Sequence, residues 1–388
     1  MRFVITVVLT TFLAGVTARG MTPQDAPAEH TGWDRQGAAR YLDDRMDAWF
    51  ANAKKLQTSQ GETACVSCHT SVPYALSRSV LRRAMHIDSA TPQEVRLLED
   101  VTRRVETYET HELLYDFNDA KKAESRGTEA VLNALILARA DGEQNRREVS
   151  EPTRKALRRL WETQRPDGAW DWLAFGLEPF ESIDGVYYGA TLAALAVGTG
   201  PPSASQASDA TVGIDKLRGY LKENYSKQSL FNRVWLLLAS TRLKGLLTRE
   251  QREALITEIQ SRHRDDGGWS LETLGTWRWA KPVAPFKAPG TLDATLLARS
   301  DGYATGLIVY TLREAGLPID HPAVRKGLRW LKANQQDVEV SQQTRPAWRA
   351  HSLNYDREHG GEKGEPVRRL FMSDSATAFA VLALTGSD

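Results

Sequence analysis

Two turns of the same pattern decide the fold, and each has a glycine two residues before a tryptophan. They are Gln164-Arg165-Pro166-Asp167-Gly168-Ala169-Trp170 and His263-Arg264-Asp265-Asp266-Gly267-Gly268-Trp269. Both have the spacing x-x-x-x-G-x-W, and the first begins with glutamine. A glutamine amide can cap a helix end while the tryptophan covers the neighbouring helix. The recurrence of the turn therefore predicts a repeated helical architecture.

Helical segments of two kinds alternate along the chain. The charged kind has a single apolar stripe, which predicts solvent-facing outer helices over residues 36–56, 91–113, 151–164, 211–224, 248–263 and 322–335. The other kind is apolar or small on nearly all sides, which predicts buried inner helices over residues 125–140, 185–197, 229–240, 302–314 and 375–384. Pro73 starts a further helix. The predicted fold class is all-α, an α/α toroid of repeated outer and inner helix pairs.

The glutamine-led turn resembles the Q-x-x-x-G-x-W turn of squalene-hopene cyclases and related prenyltransferase-like toroids. The resemblance spans residues 120–388 in weak repeats and implies that these turns tie the outer helices together. The D-x-D-D cluster with which those cyclases protonate an alkene is not matched, because residues 373–378 keep one carboxylate, Asp374. Terpene cyclase activity is therefore disfavoured, and whether the chain is an enzyme stays open.

Three aspartates stand at the starts of predicted inner helices, namely Asp184, Asp301 and Asp374. An aspartate at a helix start accepts backbone N–H bonds and meets the positive end of the helix dipole, so we predict a capping role. Their shared position also predicts that carboxylates line one mouth of the toroid.

Composition and charge exclude several classes of protein. The 388 residues include 50 Lys plus Arg against 49 Asp plus Glu, without a run of like charge, so nucleic acid is not an expected partner. Hydrophobic residues make up 41% and charged residues 26%, which excludes a wholly disordered chain.

The N-terminus has the pattern of a secretory signal peptide. Arg2 precedes an apolar run over residues 3–16, and small residues follow where a signal peptidase cuts. We interpret residues 1–18 as this signal, with an uncleaved anchor as the alternative, and expect a periplasmic or secreted protein. No later segment is long enough to span a membrane, so no transmembrane segment is expected after signal removal.

The two cysteines of the chain stand in one C-x-x-C-H motif, Cys65-Val66-Ser67-Cys68-His69. Two thiols at this spacing can form thioethers to haem vinyl groups, while the next residue reaches the iron. The motif resembles that of c-type cytochromes, which implies one covalent haem c on Cys65 and Cys68 with His69 as the proximal iron ligand. A thioredoxin-like redox pair, a structural zinc site and a plain disulfide are the weaker alternatives.

The sixth iron ligand and the domain division stay open. The candidate ligands are Met372, His351 and Met85, with His359, His86 and His111 as further options and an open position as the alternative. Residues 30–118 form either a separate cytochrome c-like domain or the first toroid repeat, and residues 119–388 form the squalene-cyclase-like toroid. Trp277 and Trp279 are candidate walls of the site.

These features predict an exported mono-haem c-type cytochrome that transfers electrons to an unknown redox partner protein, with the toroid as a scaffold. The alternative is a haem enzyme or sensor that binds an apolar or isoprenoid small molecule in the toroid cavity. An interaction protein without haem is the third class.

Overall fold

The computed structural model describes residues 32–206, 208–277, 294–354 and 369–386. The predicted signal peptide, residues 1–18, lies outside these ranges. Within them the helices are α1 (Arg35–Asn52), α2 (Ser71–Ala84), α3 (Pro92–Glu106), α4 (Asp119–Glu143), α5 (Glu151–Glu162), α6 (Gly185–Thr199), α7 (Ser208–Asn224), α8 (Leu230–Ser240), α9 (Arg249–Ser261), α10 (Ala294–Leu297), α11 (Gly302–Glu314), α12 (Pro322–Ala333) and α13 (Phe371–Leu384).

The inner helices form a closed ring. In order around the ring they are α2, α4, α6, α8, α11 and α13; each contacts the next, and α13 returns to contact α2. The outer helices α1, α3, α5, α7, α9 and α12 each pack against an inner helix. This arrangement confirms the predicted α/α toroid, and it places the last repeat beside the first.

The inner helices are buried because their residues are apolar or small on every side. All residues of α13 from Phe371 to Leu384 are buried. In α6, a Cβ on Gly189 would lie 2.3 Å from the ring of Trp172, so only glycine lets the helix approach this tryptophan. Small residues on the inner helices thus set how closely the ring can pack.

The two glycine and tryptophan turns hold the outer helices as the sequence predicts. The Trp170 indole N–H donates to the Leu160 carbonyl oxygen at 2.7 Å, and that of Trp269 donates to Ile259 at 2.9 Å. Each tryptophan therefore donates to a carbonyl in the last turn of the preceding outer helix, where carbonyl groups lose their regular helical partners.

Gln164 and Gly168 join neighbouring repeats. The Gln164 amide donates to the carbonyl oxygens of Gly168, at 3.0 Å, and of Gly213 in α7, at 2.9 Å. Gly168 has a φ of +94°, and a Cβ there would lie 2.2 Å from the Lys216 carbonyl oxygen. Glycine is required on both grounds.

In the described residues, two short two-stranded sheets interrupt the all-helical pattern. Antiparallel strands β1 (Lys55–Thr58) and β2 (Gly61–Ala64) follow α1, and β3 (Gln336–Val340) pairs with β4 (Gln343–Ala347) after α12. The first outer helix therefore ends at Asn52 instead of continuing to residue 56. Gly61, with a φ of +109°, makes the tight turn of the first hairpin.

The predicted caps have different outcomes. The Asp301 carboxylate accepts from the backbone N–H groups of Tyr303 and Ala304 at 2.9 and 2.8 Å, so its capping role is confirmed. Asp184 precedes α6 but makes no side-chain cap bond, so that prediction is wrong. The prediction for Asp374 is also wrong, because this residue lies inside the first turn of α13 and its carboxylate binds other side chains.

The part of the chain that the structure describes contains no helix long and apolar enough to cross a membrane. The division into residues 30–118 and 119–388 stays a prediction.

A buried ion pair joins α3 to α4. The Arg104 guanidinium donates to both carboxylate oxygens of Glu129, at 2.7 and 2.6 Å, and His111 Nε2 lies 3.2 Å from the same carboxylate. Burial alone would raise the pKa of Glu129, but Arg104 and His111 lower it from 4.5 to about 2. The ionised Glu129 carboxylate therefore contributes its full stabilisation when the pH is above about 4.5, the ordinary pKa of a glutamate.

We predict that Glu129→Gln lowers the free energy of unfolding at pH 7 by about 3 to 5 kcal/mol, because it leaves the Arg104 charge buried without its partner. In the unaltered chain, Glu129 contributes about 3 kcal/mol that is lost as the pH falls from about 4.5 to about 2. Urea unfolding at several pH values measures both effects.

Glu162→Gln is the matched control, because this glutamate pairs with Arg159 on the exposed face of α5. We expect a change below about 0.5 kcal/mol for the control. Equal stabilities of the two variants at pH 7 would contradict the role of the α3–α4 pair.

Candidate functional site

A cavity of about 240 Å³ opens where the first repeats meet the last one. Its wall includes the end of α1, the C-x-x-C-H segment, part of α4, the α5–α6 loop and Phe371 of α13. All three predicted binding residues, Cys65, Cys68 and His69, line it. Their role as binding residues stays a prediction, and the structure places them together on one surface.

Aromatic side chains surround the imidazole of His69. The ring centroids of Phe371, Trp49 and Phe180 lie 5.0, 5.3 and 6.4 Å from that of His69. The first two contacts are edge to face, which is the favourable geometry for aromatic pairs. The imidazole therefore occupies a fixed position in an apolar environment.

The backbone of the C-x-x-C-H segment is held at several points. The Trp49 indole N–H donates to the Cys65 carbonyl oxygen at 2.7 Å, and the Ser375 hydroxyl donates to the His69 carbonyl oxygen at 2.9 Å. The Ser67 hydroxyl accepts from the backbone N–H groups of Thr70 and Ser71 and so caps the start of α2.

Both cysteines are buried, with 8% of Cys65 and 3% of Cys68 exposed. Burial, and after it the negative charge of Glu181, raises the pKa of the Cys68 thiol well above its ordinary value. Cys68 is therefore a neutral thiol, and it behaves as a small apolar side chain in the cavity wall.

Behind the cavity wall lies a buried carboxylate, that of Asp374. The Arg45 guanidinium donates to its two oxygens at 2.7 and 3.1 Å, and the Tyr41 hydroxyl donates at 3.0 Å. Only 2% of the Arg45 side chain and 3% of the Asp374 side chain are exposed. Burial, followed by the charge of Asp374, raises the pKa of Tyr41 well above its usual range, so its hydroxyl stays a proton donor.

Thr70 connects this carboxylate to the cavity. The Thr70 hydroxyl donates to Asp374 at 2.8 Å and lies 3.0 Å from Nδ1 of His69. A hydroxyl has a single proton, so Thr70 accepts from the imidazole while it donates to Asp374. In the neutral imidazole the proton is therefore on Nδ1, and Nε2 is the nitrogen that can accept a hydrogen bond.

Two glutamates line the cavity from the α5–α6 loop. Glu178 is buried, with 5% exposed, and Glu181 is half-buried. The backbones of Leu177 and Glu181 exchange hydrogen bonds of 3.0 and 2.8 Å, which closes the loop into a tight hairpin. Asn354, in the last repeat, accepts from the Glu178 N–H and donates to the Gly176 carbonyl oxygen, each at 2.7 Å.

Sequence reasoning missed these two glutamates and Arg45. The signal for the glutamates was two carboxylates three residues apart in the loop between a tryptophan turn and an inner helix. Arg45 lies in a charged outer helix, where a basic residue usually faces solvent. Its position four residues after Tyr41, on the apolar stripe of α1, was the available signal.

None of the predicted sixth-ligand residues is among the described residues of the cavity wall. Met372 is buried within α13, His351 is half-buried after β4, and Met85 lies at the C-terminus of α2. Trp277 packs on Phe231 at a centroid distance of 5.8 Å, away from this wall. His359 and Trp279 lie outside the described residues.

Comparison with known proteins gives a fold and no family. No protein-family model matches the chain, and no curated protein matches it either. It is similar to a solved structure of a UGL variant with dGlcA-Glc-Rha-Glc, at 10% identity and a TM-score of 0.52 over 90% of this chain and 96% of that one. It is also similar to unsaturated glucuronyl hydrolase from Bacillus sp. GL1, responsible for the degradation of glycosaminoglycan. That match has 11% identity and a TM-score of 0.51, over 91% and 96% of the two chains.

The predicted function is wrong. Two solved structures that share this fold along nine-tenths of the chain are of unsaturated glucuronyl hydrolase, which contradicts the mono-haem cytochrome that transfers electrons. The alternative of a haem enzyme or sensor for an isoprenoid finds no support there either. The toroid part of the resemblance is supported, and the cytochrome part is not.

The predicted covalent haem c, with its iron, is also wrong. Over the described ranges, no group of three or more His, Cys, Asp or Glu side chains is placed to hold a metal ion. Packing explains the motif instead, because Cys68 is an apolar part of the wall and the Cys65 carbonyl holds Trp49. The five residues of the C-x-x-C-H motif therefore specify a local geometry, and they do not specify that a haem is bound.

We predict that Asp374→Asn lowers the free energy of unfolding by about 3 to 5 kcal/mol, because the amide cannot neutralise the buried Arg45 guanidinium. Urea unfolding followed by circular dichroism measures the change.

Asp44→Asn is the control for this variant. Asp44 accepts from Arg345 at 2.6 Å and joins the same two repeats, but both side chains are partly exposed. A loss below about 1 kcal/mol is expected. If Asp374→Asn and Asp44→Asn lose the same free energy of unfolding, burial does not make the Arg45–Asp374 pair more important than the Arg345–Asp44 pair.

Proposed function

We propose that the chain is a glycoside-hydrolase-like enzyme whose active site is the cavity lined by His69, Glu178 and Glu181. The observation that carries the proposal is the pair of glutamates on one braced loop, in a cavity whose wall is otherwise largely apolar and aromatic. Glycoside hydrolysis most often uses two carboxyl groups that flank the bond. The fold shared with glucuronyl hydrolases supports the same class.

The two glutamates differ in their surroundings, and this difference assigns their roles. Glu178 is the more enclosed of the two, so we assign it as the general acid that meets the leaving group away from bulk water. Glu181 is half-buried and therefore more accessible to water, so we assign it as the carboxylate that activates water or attacks carbon.

The reaction then balances without a further reactant except water. Glu178 protonates the oxygen that leaves, and the bond from that oxygen to the anomeric carbon breaks. The hydroxyl of water bonds to the anomeric carbon, and the remaining proton of water returns to the carboxyl pair. One water molecule thus supplies both the hydrogen and the hydroxyl group that the two products gain.

The rest of the wall fits a small saccharide. Trp49, Tyr115 and Phe180 provide aromatic surfaces against which the apolar face of a sugar ring can pack. Asn52 and Lys54, at the end of α1, provide polar groups for sugar hydroxyls. A volume of about 240 Å³ suits one or two sugar rings at the end of a chain more than the middle of a polymer.

We predict that Glu181→Gln and Glu178→Gln each lower kcat by about 10²- to 10⁴-fold, because each removes a group that transfers a proton or attacks in the transition state. A panel of nitrophenyl glycosides and of oligosaccharides with neutral or uronic acid ends identifies the substrate. Reducing-sugar release then measures kcat and KM.

Glu223→Gln, on the exposed surface of α7, is the control and should keep full activity. The absence of hydrolysis across the panel by the unaltered chain would overturn the proposal. Retention of activity by both cavity variants, at the level of Glu223→Gln, would overturn the assignment of the two glutamates.

A further inference from the structure

A continuous hydrogen-bond path runs from the closed ring into the cavity. It leads from Asp374 of α13 through the Thr70 hydroxyl to Nδ1 of His69, with lengths of 2.8 and 3.0 Å. Both Thr70 and Asp374 are buried, so water does not compete for these bonds. The path joins two repeats that are 304 residues apart in the chain.

The Asp374 carboxylate accepts hydrogen bonds from three side chains, one of which is the Thr70 that contacts His69. Arg45 donates to both oxygens of the carboxylate and Tyr41 donates to one of them, while Thr70 donates to the other. Asp374 therefore accepts from all three side chains, and it fixes the direction of the Thr70 proton. A fixed Thr70 proton leaves an oxygen lone pair that only the Nδ1–H form of His69 can use.

The aromatic neighbours prevent the ring from turning over. Trp49 and Phe371 contact the imidazole edge to face, with centroids within 5.3 Å, and the Ser375 hydroxyl holds the His69 backbone. A rotation of the ring by 180° would place a carbon against Thr70 and leave the Thr70 oxygen unmatched. Geometry and hydrogen bonding thus select the same orientation.

We propose that His69 is a substrate-binding residue that presents Nε2 as a fixed hydrogen-bond acceptor to a substrate hydroxyl, with Thr70 and Asp374 as its positioning residues. The inference rests on the proposed function for the identity of the ligand, a hydroxyl-bearing sugar. The tautomer of His69 depends only on the protein's own contacts, so it can be measured without substrate. A fixed acceptor of this kind selects a ligand that has a hydroxyl at that position over one that lacks it.

The experiment is ¹⁵N nuclear magnetic resonance of the histidine side chains at pH 8, in the full chain without substrate. The nitrogen that carries hydrogen and the one that does not give clearly separated shifts, and a His69→Gln variant identifies the His69 signals. We expect His69 to be in the Nδ1–H form. Thr70→Val should shift it toward the Nε2–H form, and Thr70→Ser should restore Nδ1–H, because serine keeps the hydroxyl.

Thr70→Val is expected to fold, because Arg45 and Tyr41 still donate to Asp374. An Nε2–H imidazole in the unaltered chain, or the same tautomer in all three proteins, would overturn the inference. With a substrate from the glycoside panel, Thr70→Val should raise KM about fivefold to tenfold and leave kcat within about twofold. A fall in kcat with unchanged KM would overturn the binding role.

The two proposals fail separately. A panel without any hydrolysed glycoside overturns the glycoside-hydrolase function, while an Nδ1–H imidazole that responds to Thr70 still supports the fixed acceptor. Conversely, a hydrolysed glycoside together with an Nε2–H imidazole keeps the enzyme and removes His69 from its proposed role.

Discussion

The ring closes on a buried ion pair between its first and last repeats. Arg45 of α1 and Asp374 of α13 are 329 residues apart in sequence, and their side chains meet with almost no exposure to solvent. Moving two charges out of water is costly, so such a pair is tolerated only when its polar atoms are satisfied. Tyr41 and Thr70 supply the further hydrogen bonds. The same contacts specify which face of α13 meets the first repeat. Packing of small apolar residues alone would define this orientation less well.

The cavity depends on this closure because its wall is drawn from both ends of the chain. Cys68 and His69 follow the first hairpin, whereas Phe371 and Asn354 belong to the last repeat. Asn354 holds the loop of Glu178, and Asp374 holds Thr70, so the last repeat positions both the carboxylates and the imidazole. A toroid that failed to close would keep its helices but lose the site. Ring stability and the geometry of the cavity are therefore linked through the same few side chains.

Much of the fold follows from local sequence. The inner helices are apolar on all sides, the Trp170 and Trp269 turns repeat, and Asp301 caps its helix as predicted. A third tryptophan makes the same contact without the turn pattern, because Pro346 stands in place of the glycine and the second hairpin separates Trp348 from its outer helix. There the Trp348 indole N–H donates to the Leu331 carbonyl oxygen, 17 residues earlier, at 2.8 Å. The pattern is recognised when its spacing is kept and lost when an insertion changes the spacing, although the contact is the same.

The site was less predictable, because its chemistry depends on residues that are distant in sequence. The C-x-x-C-H segment suggested a haem, since spacing alone makes two thiols and an imidazole adjacent. What each of them does depends on residues from other parts of the ring. Burial and the charge of Glu181 keep the Cys68 thiol neutral, and Asp374, through the Thr70 hydroxyl, determines which nitrogen of His69 carries the proton. Glu178 and Glu181 have no motif, and they matter because Asn354 fixes their loop against the same cavity. A short motif thus indicates local geometry, whereas the proton positions and charges at the cavity depend on contacts that form only in the closed ring.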